Sequence, residues 1–154
     1  MVSYLIKLGR LNFLKSVYTL MSMSSIPKRD DVVQVTEPIA RSYLGTVQDE
    51  LSDTDASVSD IGEREEAGTV GWDIAIERPD GTVVVVGFNV LDSVEYEGQM
   101  TGYNVIVNAV AEDGKPRVHH PPHSRTDEAW TTDLDELRQR AEGIPPLKKE
   151  NILS

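Results

Sequence analysis

Asp73 and Glu77 lie four residues apart in a stretch of alternating apolar residues, and Asn89, Asn104 and Asn108 fall at the matching phase of the two stretches that follow. Such a set could do two kinds of chemistry. A carboxylate can act as a base or a metal ligand while amides orient a substrate, the outline of a small hydrolase or metal-dependent enzyme. Without a reacting partner, the same side chains make a polar face for a ligand. Asparagine is depleted in strands, so three on one face need a reason. The simplest is water on the solvent side of an antiparallel sheet. Val83, Val85, Leu91, Ile106 and Val110 share that face, however, and make it too apolar for free exposure. That mixture fits a dimer interface, with asparagines hydrogen-bonding across it, or a cover by other segments of the chain, and a structural or interface role is favoured over a catalytic centre.

His119, His120 and His123 are the three histidines of the chain, and they flank Pro121 and Pro122. Imidazole is a common metal ligand, and Asp127 or Glu128 could complete a site. The spacing argues otherwise. Adjacent histidines on an extended chain point opposite ways, and two prolines stretch the backbone instead of folding it into a chelating loop. An exposed polyproline-like connector accounts for the segment better. The chain contains no G-x-S-x-G elbow, no Walker loop, no G-x-G-x-x-G and no H-E-x-x-H. A nuclease of the PD-(D/E)xK kind would want a lysine beside its strand carboxylates, where Arg78 stands. With no cysteine, zinc–thiolate sites, iron–sulfur clusters and a thiol nucleophile are excluded. No cofactor is expected.

The elements that would position the face are legible from periodicity. Val70, Trp72, Ile74 and Ile76 alternate with Gly71, Asp73, Ala75 and Glu77, the period of a half-buried strand. Val83 to Leu91 is the second strand and Tyr103 to Ala111 the third, and Arg117 to His119 could add a short edge. A two-residue turn at Asp80-Gly81 would put Glu77 beside Val84. A three-residue loop, Pro79-Asp80-Gly81 with the glycine left-handed, pairs Ile76 with Val84, Ile74 with Val86 and Trp72 with Phe88. Only that register keeps one face apolar throughout.

A helix is predicted over Glu37 to Leu51, capped by Thr36 with Pro38 in its first turn, and Ile39, Tyr43, Val47 and Leu51 form its stripe. A second is predicted from Asp133 to Ala141, capped by Thr132 and stopped by Gly143 and Pro145, with Trp130 anchoring its start. Between the first helix and the first strand, Asp49 to Glu66 carries eight acids against Arg64 and reads as a solvated loop. Its oxygens lack the spacing of an EF-hand. The fold class is therefore α+β: a helix, a three- to four-stranded antiparallel meander and a C-terminal helix. Both helices pack on the face carrying Trp72, Ile74, Val84, Val86, Phe88, Val105 and Val107.

Charge sets the environment. The chain has 26 acidic and 15 basic residues, a net charge of −11. Five of the basic residues (Lys7, Arg10, Lys15, Lys28 and Arg29) precede the first acid, Asp30, and only Lys115, Lys148 and Lys149 are lysines after it. High carboxylate and scarce lysine resemble the surfaces of proteins from extreme halophiles, such as haloarchaea, in which molar salt screens self-repulsion. The same charge disfavours nucleic acids and anionic membranes.

Residues 1–29 form a basic, apolar extension. It is too interrupted by Lys7, Arg10 and Lys15 to span a membrane, and its charges lie inside the apolar region, where a secretory signal would not have them. It reads as a peripheral anchor through residues 1–20, as a presequence, or as an upstream start codon with translation beginning at Met21 or Met23. The expected organisation is this extension, one domain over 30–144 and a loose tail over 145–154. The expected function is a non-enzymatic binding or regulatory module, cytoplasmic and homodimeric. The alternatives are the small enzyme, using Asp73 and Glu77, and the membrane-anchored protein.

Overall fold

The computed structural model describes residues 27–66, 68–92, 102–112, 116–120 and 130–154. Residues 1–26, including the expected anchor, and His123 lie outside the described residues, as do 93–101 of the connection between the second and third predicted strands. The order of elements is α1 (Arg29–Leu51), β1 (Ser57–Val58), β2 (Gly62–Glu66), β3 (Thr69–Glu77), β4 (Val83–Asp92), β5 (Tyr103–Ala111), β6 (Pro116–His120), α2 (Leu134–Glu142) and α3 (Lys149–Leu153). The class is α+β, with helices on one face of an antiparallel sheet.

The sheet runs in the order β1–β3–β4–β5–β6, with β2 also paired to β3. Ser57 and Val58 pair with Glu77 and Ile76, and Gly62 to Glu66 pair with Asp73 to Thr69, all along one edge of β3. Together β1 and β2 make one interrupted edge strand, so the sheet is five strands wide. Ser59 stitches the interruption: its amide donates to the Ala75 carbonyl, and its hydroxyl accepts the Ala75 N–H, both at 2.9 Å. This corrects the solvated-loop expectation for Asp49 to Glu66. Gly62–Glu66 has no apolar alternation because it is a sheet edge with largely exposed side chains. A row of glutamates there also keeps other strands from adding to the edge.

The hairpin has the predicted register, with Ile76 opposite Val84, Ile74 opposite Val86 and Trp72 opposite Phe88. Arg78 and Thr82 close the loop through Arg78 N–H to Thr82 O, and Gly81 takes φ +87°. Trp72, Ile74, Ile76, Val84, Val86, Phe88, Val105 and Val107 are all buried, and α1 and α2 lie over them.

Three helical boundaries differ from expectation. Helix α1 begins at Arg29 and runs through Pro38. Interior proline costs ~3 kcal/mol, because the Gln34 carbonyl loses its donor and meets the ring. Two added turns offset this by burying Val32 and Thr36, whose hydroxyl donates to the Val32 carbonyl at 2.7 Å instead of capping the helix. The start is also tied down, by Arg29 to Asp92 at 3.7 Å and by the Tyr103 hydroxyl donating to the Pro27 carbonyl at 2.9 Å. The buried stripe is Val32, Thr36, Ala40, Leu44, Val47 and Leu51, which leaves Ile39 and Tyr43 at its margin.

The cap of α2 is Asp133, not Thr132: its carboxylate accepts the amides of Asp135 and Glu136. Thr131 reinforces it, accepting the Asp133 amide at 3.1 Å and donating to Glu136 at 2.9 Å. That hydroxyl and the nearby Arg140 hold the Glu136 carboxyl below its usual range. The segment 145–154 is not a loose tail, since Leu147 and Ile152 are buried in the core. With Leu147 and Ile152 separated by polar residues, they show no period a sequence reading could detect.

Tyr43 reports on this packing. Its ring meets Phe88 edge-on, with centroids 5.7 Å apart, and its hydroxyl donates to the Pro145 carbonyl at 2.7 Å. Burial pushes its phenol up from 10.0 to about 12. Folding therefore favours the neutral phenol: the stabilisation is complete below pH 10 and is lost as the pH climbs towards about 12. In an alkaline unfolding series, Tyr43→Phe should remove part of the stability loss over that interval. An unchanged slope would contradict the assignment.

Candidate functional site

On the sheet face away from the helices, opposed residues form rows across the strands. One row runs Gly62, Asp73, Gly87, Asn108 and His119, and the next runs Arg64, Gly71, Asn89 and Ile106. Two glycines thus sit in the middle of long strands, where glycine weakens pairing by roughly 0.5–1 kcal/mol relative to alanine. Both lie beneath polar side chains. Arg64 reaches over Gly71, donating through Nε to Asp73 Oδ2 at 3.1 Å and through Nη2 to Asn89 Oδ1 at 2.7 Å. Its third nitrogen lies 3.8 Å from Glu66.

The glycines leave the room this arrangement needs. A Cβ on Gly71 would stand 2.5 Å from Asn89 Oδ1 and 3.0 Å from Arg64 Nη2. One on Gly87 would stand 3.1 Å from Asn89 Nδ2 and 3.4 Å from Asn108 Oδ1. The result is an open depression of about 320 Å³ with Gly87 in its lining, bordered by Arg64, Glu66, Asp73, Asn89 and Asn108, with Val85, Ile106 and Val110 as apolar wall. That volume is at the lower end of the ~300–1,000 Å³ range of small-molecule sites.

Of the sequence-predicted face, Asp73, Asn89 and Asn108 come together here. Glu77 does not: it lies at the end of β3 opposite Val83, about 13 Å along the strand from Asp73. Asn104 is buried opposite Leu91 with its Oδ1 accepting the Val105 amide, and it does not line the depression. Strand β6 puts His119 opposite Asn108 and His120 opposite Val107, in different rows. The polyproline-like reading of this stretch gives way to an edge strand as far as His120. Among the described residues, no group of three or more His, Asp or Glu could hold a metal ion. Arg64, Gly71 and Gly87 were missed by sequence reasoning. Their signals were available: a lone base among eight acids, and glycines at mid-strand.

Leu91 and Ile106, whose presence suggested a covered face, are only 7% and 8% exposed within the single chain. Among the described residues, Val85, at 38%, is the exposed large hydrophobic. No helix of the described residues is long and apolar enough to cross a membrane. The chain matches no family model, no curated protein and no solved structure, so likeness to known proteins assigns it no function.

Proposed function

We propose that this chain is a non-enzymatic binding module whose outer sheet face holds a small polar ligand in the depression over Gly87. The observation that carries this reading is Gly87, a mid-strand glycine that forgoes strand stability and lines open space bordered by polar side chains, whereas Gly71 makes room for the Arg64–Asn89 contact. Binding is favoured over hydrolysis by the state of the carboxylates. Asp73 is engaged by Arg64, and Glu77 is too far along the strand to share a reacting atom with it. A homodimer sealed through this face has less support, because among the described residues Val85 is the one exposed large hydrophobic and a partner there would close the depression. The acidic composition supports a cytoplasm rich in salt and gives nucleic acids little to bind.

The test is a titration of the isotope-labelled chain with mixtures of small polar metabolites in molar KCl, read by amide resonances. The expected result is a saturable shift confined to Gly71, Gly87, Asn89 and Asn108. Shifts that map elsewhere, or none from any mixture, would contradict the proposal. Light scattering on the same sample measures the molar mass and decides the dimer.

A further inference from the structure

The orientation of one buried amide narrows the ligand class. Asn89 is 5% exposed, and a guanidinium can only donate, so the 2.7 Å contact from Arg64 fixes Oδ1 toward the arginine. Its Nδ2 is therefore directed to the other side, over Gly87, and has no hydrogen-bond partner among the described residues. That nitrogen opens onto the depression, where water or a ligand can accept its hydrogen bonds. Asn108, from the neighbouring strand, brings Oδ1 to 3.4 Å from the same vacant Cβ position that Asn89 Nδ2 approaches to 3.1 Å. Asn89 thus fixes a donor at the space that Gly87 leaves, and the Asn108 amide, which no side-chain hydrogen bond pins, turns its oxygen to the same space.

The complement of that pair is a planar group with an acceptor next to a donor. Charge narrows it further. Among the described lining residues Asp73 and Glu66 stand against one cation, Arg64, which disfavours an anionic ligand such as a carboxylate or phosphate. Resting on the binding reading above, we infer that the depression recognises a small neutral molecule through a carboxamide or lactam edge. The ligand carbonyl accepts from Asn89 Nδ2, and its N–H donates to Asn108 Oδ1. The apolar wall of Val85, Ile106 and Val110 takes the rest of a small ring or aliphatic body.

The probes are nicotinamide and uracil, which carry such an edge, and benzoate, which has similar size but is an anion without a donor. Each is titrated into the isotope-labelled full chain in molar KCl while the side-chain NH₂ resonances of Asn89 and Asn108 are followed. Saturable shifts of both resonances with an amide probe, little response to benzoate, and about tenfold weaker binding in Asn108→Leu would support the inference. The Asn108 side chain makes no hydrogen bond among the described residues and the substitution leaves its backbone pairing in place, so this variant is expected to keep the fold. Asn89→Leu should lose binding more completely, provided its spectrum shows a folded chain. Stronger shifts with benzoate than with the amides would overturn the carboxamide assignment and leave the binding reading standing. If no probe moves either resonance, the carboxamide assignment fails, and the metabolite titration then decides the binding reading separately.

Discussion

Replacing Phe88 with alanine is expected to cost about 4 kcal/mol of folding free energy, the range for a fully buried aromatic truncated in a core that relaxes only in part. Phe88 is 0% exposed at the middle of β4, with Trp72 opposite it on β3 and Val107 opposite it on β5. The Tyr43 ring, in a T-shaped arrangement with it, adds a contact from α1. Truncation would leave a cavity bounded by strands on both sides and a helix above, none of which can close it without breaking pairing. Urea denaturation at fixed salt would measure the change. A loss under about 1 kcal/mol would mean that the helices are not seated on the sheet as described.

Gly102→Ala should be nearly as damaging, at about 3 kcal/mol, for a different reason. Gly102 has φ +125°, and a Cβ there would stand 2.2 Å from the carbonyl oxygen of Thr131, with the other close atoms also backbone. Tyr103 and Thr131 exchange two hydrogen bonds of 2.8 and 2.9 Å at this point. Moving Thr131 aside would also pull its hydroxyl away from Asp133 and Glu136, loosening the start of α2. Gly81→Ala is the control: φ is +87° but the surrounding space is open, so only conformational strain of about 1 kcal/mol applies. Equal losses in the two variants would show that the Thr131 contact is not what Gly102 accommodates.

What could be read from the sequence was whatever had a period. Alternation set β3, β4 and β5 and even chose the hairpin loop, because a slip of one residue would have turned Glu77 into the core. Elements without a period were misjudged. β2 is an edge with no buried face, and α3 is short with a single fully buried residue, Ile152. Pro38 looked like a helix start because its local cost argues for one, whereas the decisive contribution, burial of Val32 beneath an earlier turn, is tertiary. The site divides in the same way. Asp73, Asn89 and Asn108 announced themselves as polar residues on one phase. Arg64 lay in a segment read as loop, and the role of Gly71 and Gly87 shows only once the side chains above them are placed.

On the proposed reading, the depression is kept open for a ligand at no benefit to the fold. Gly87→Ala tests it most directly, with stability and ligand binding measured on the same preparation. Its nearest neighbours would be side-chain atoms, Asn89 Nδ2 at 3.1 Å and Asn108 Oδ1 at 3.4 Å, which can give by tenths of an ångström. Alanine also suits a strand interior better than glycine by roughly 0.5–1 kcal/mol, so stability should stay within about 1 kcal/mol of the parent chain. Binding at Asn89 and Asn108 should be lost, because the methyl group fills the space where donor and acceptor converge. A variant that binds as well as the parent would contradict the account. So would one that unfolds readily, which would give Gly87 a structural reason for being glycine.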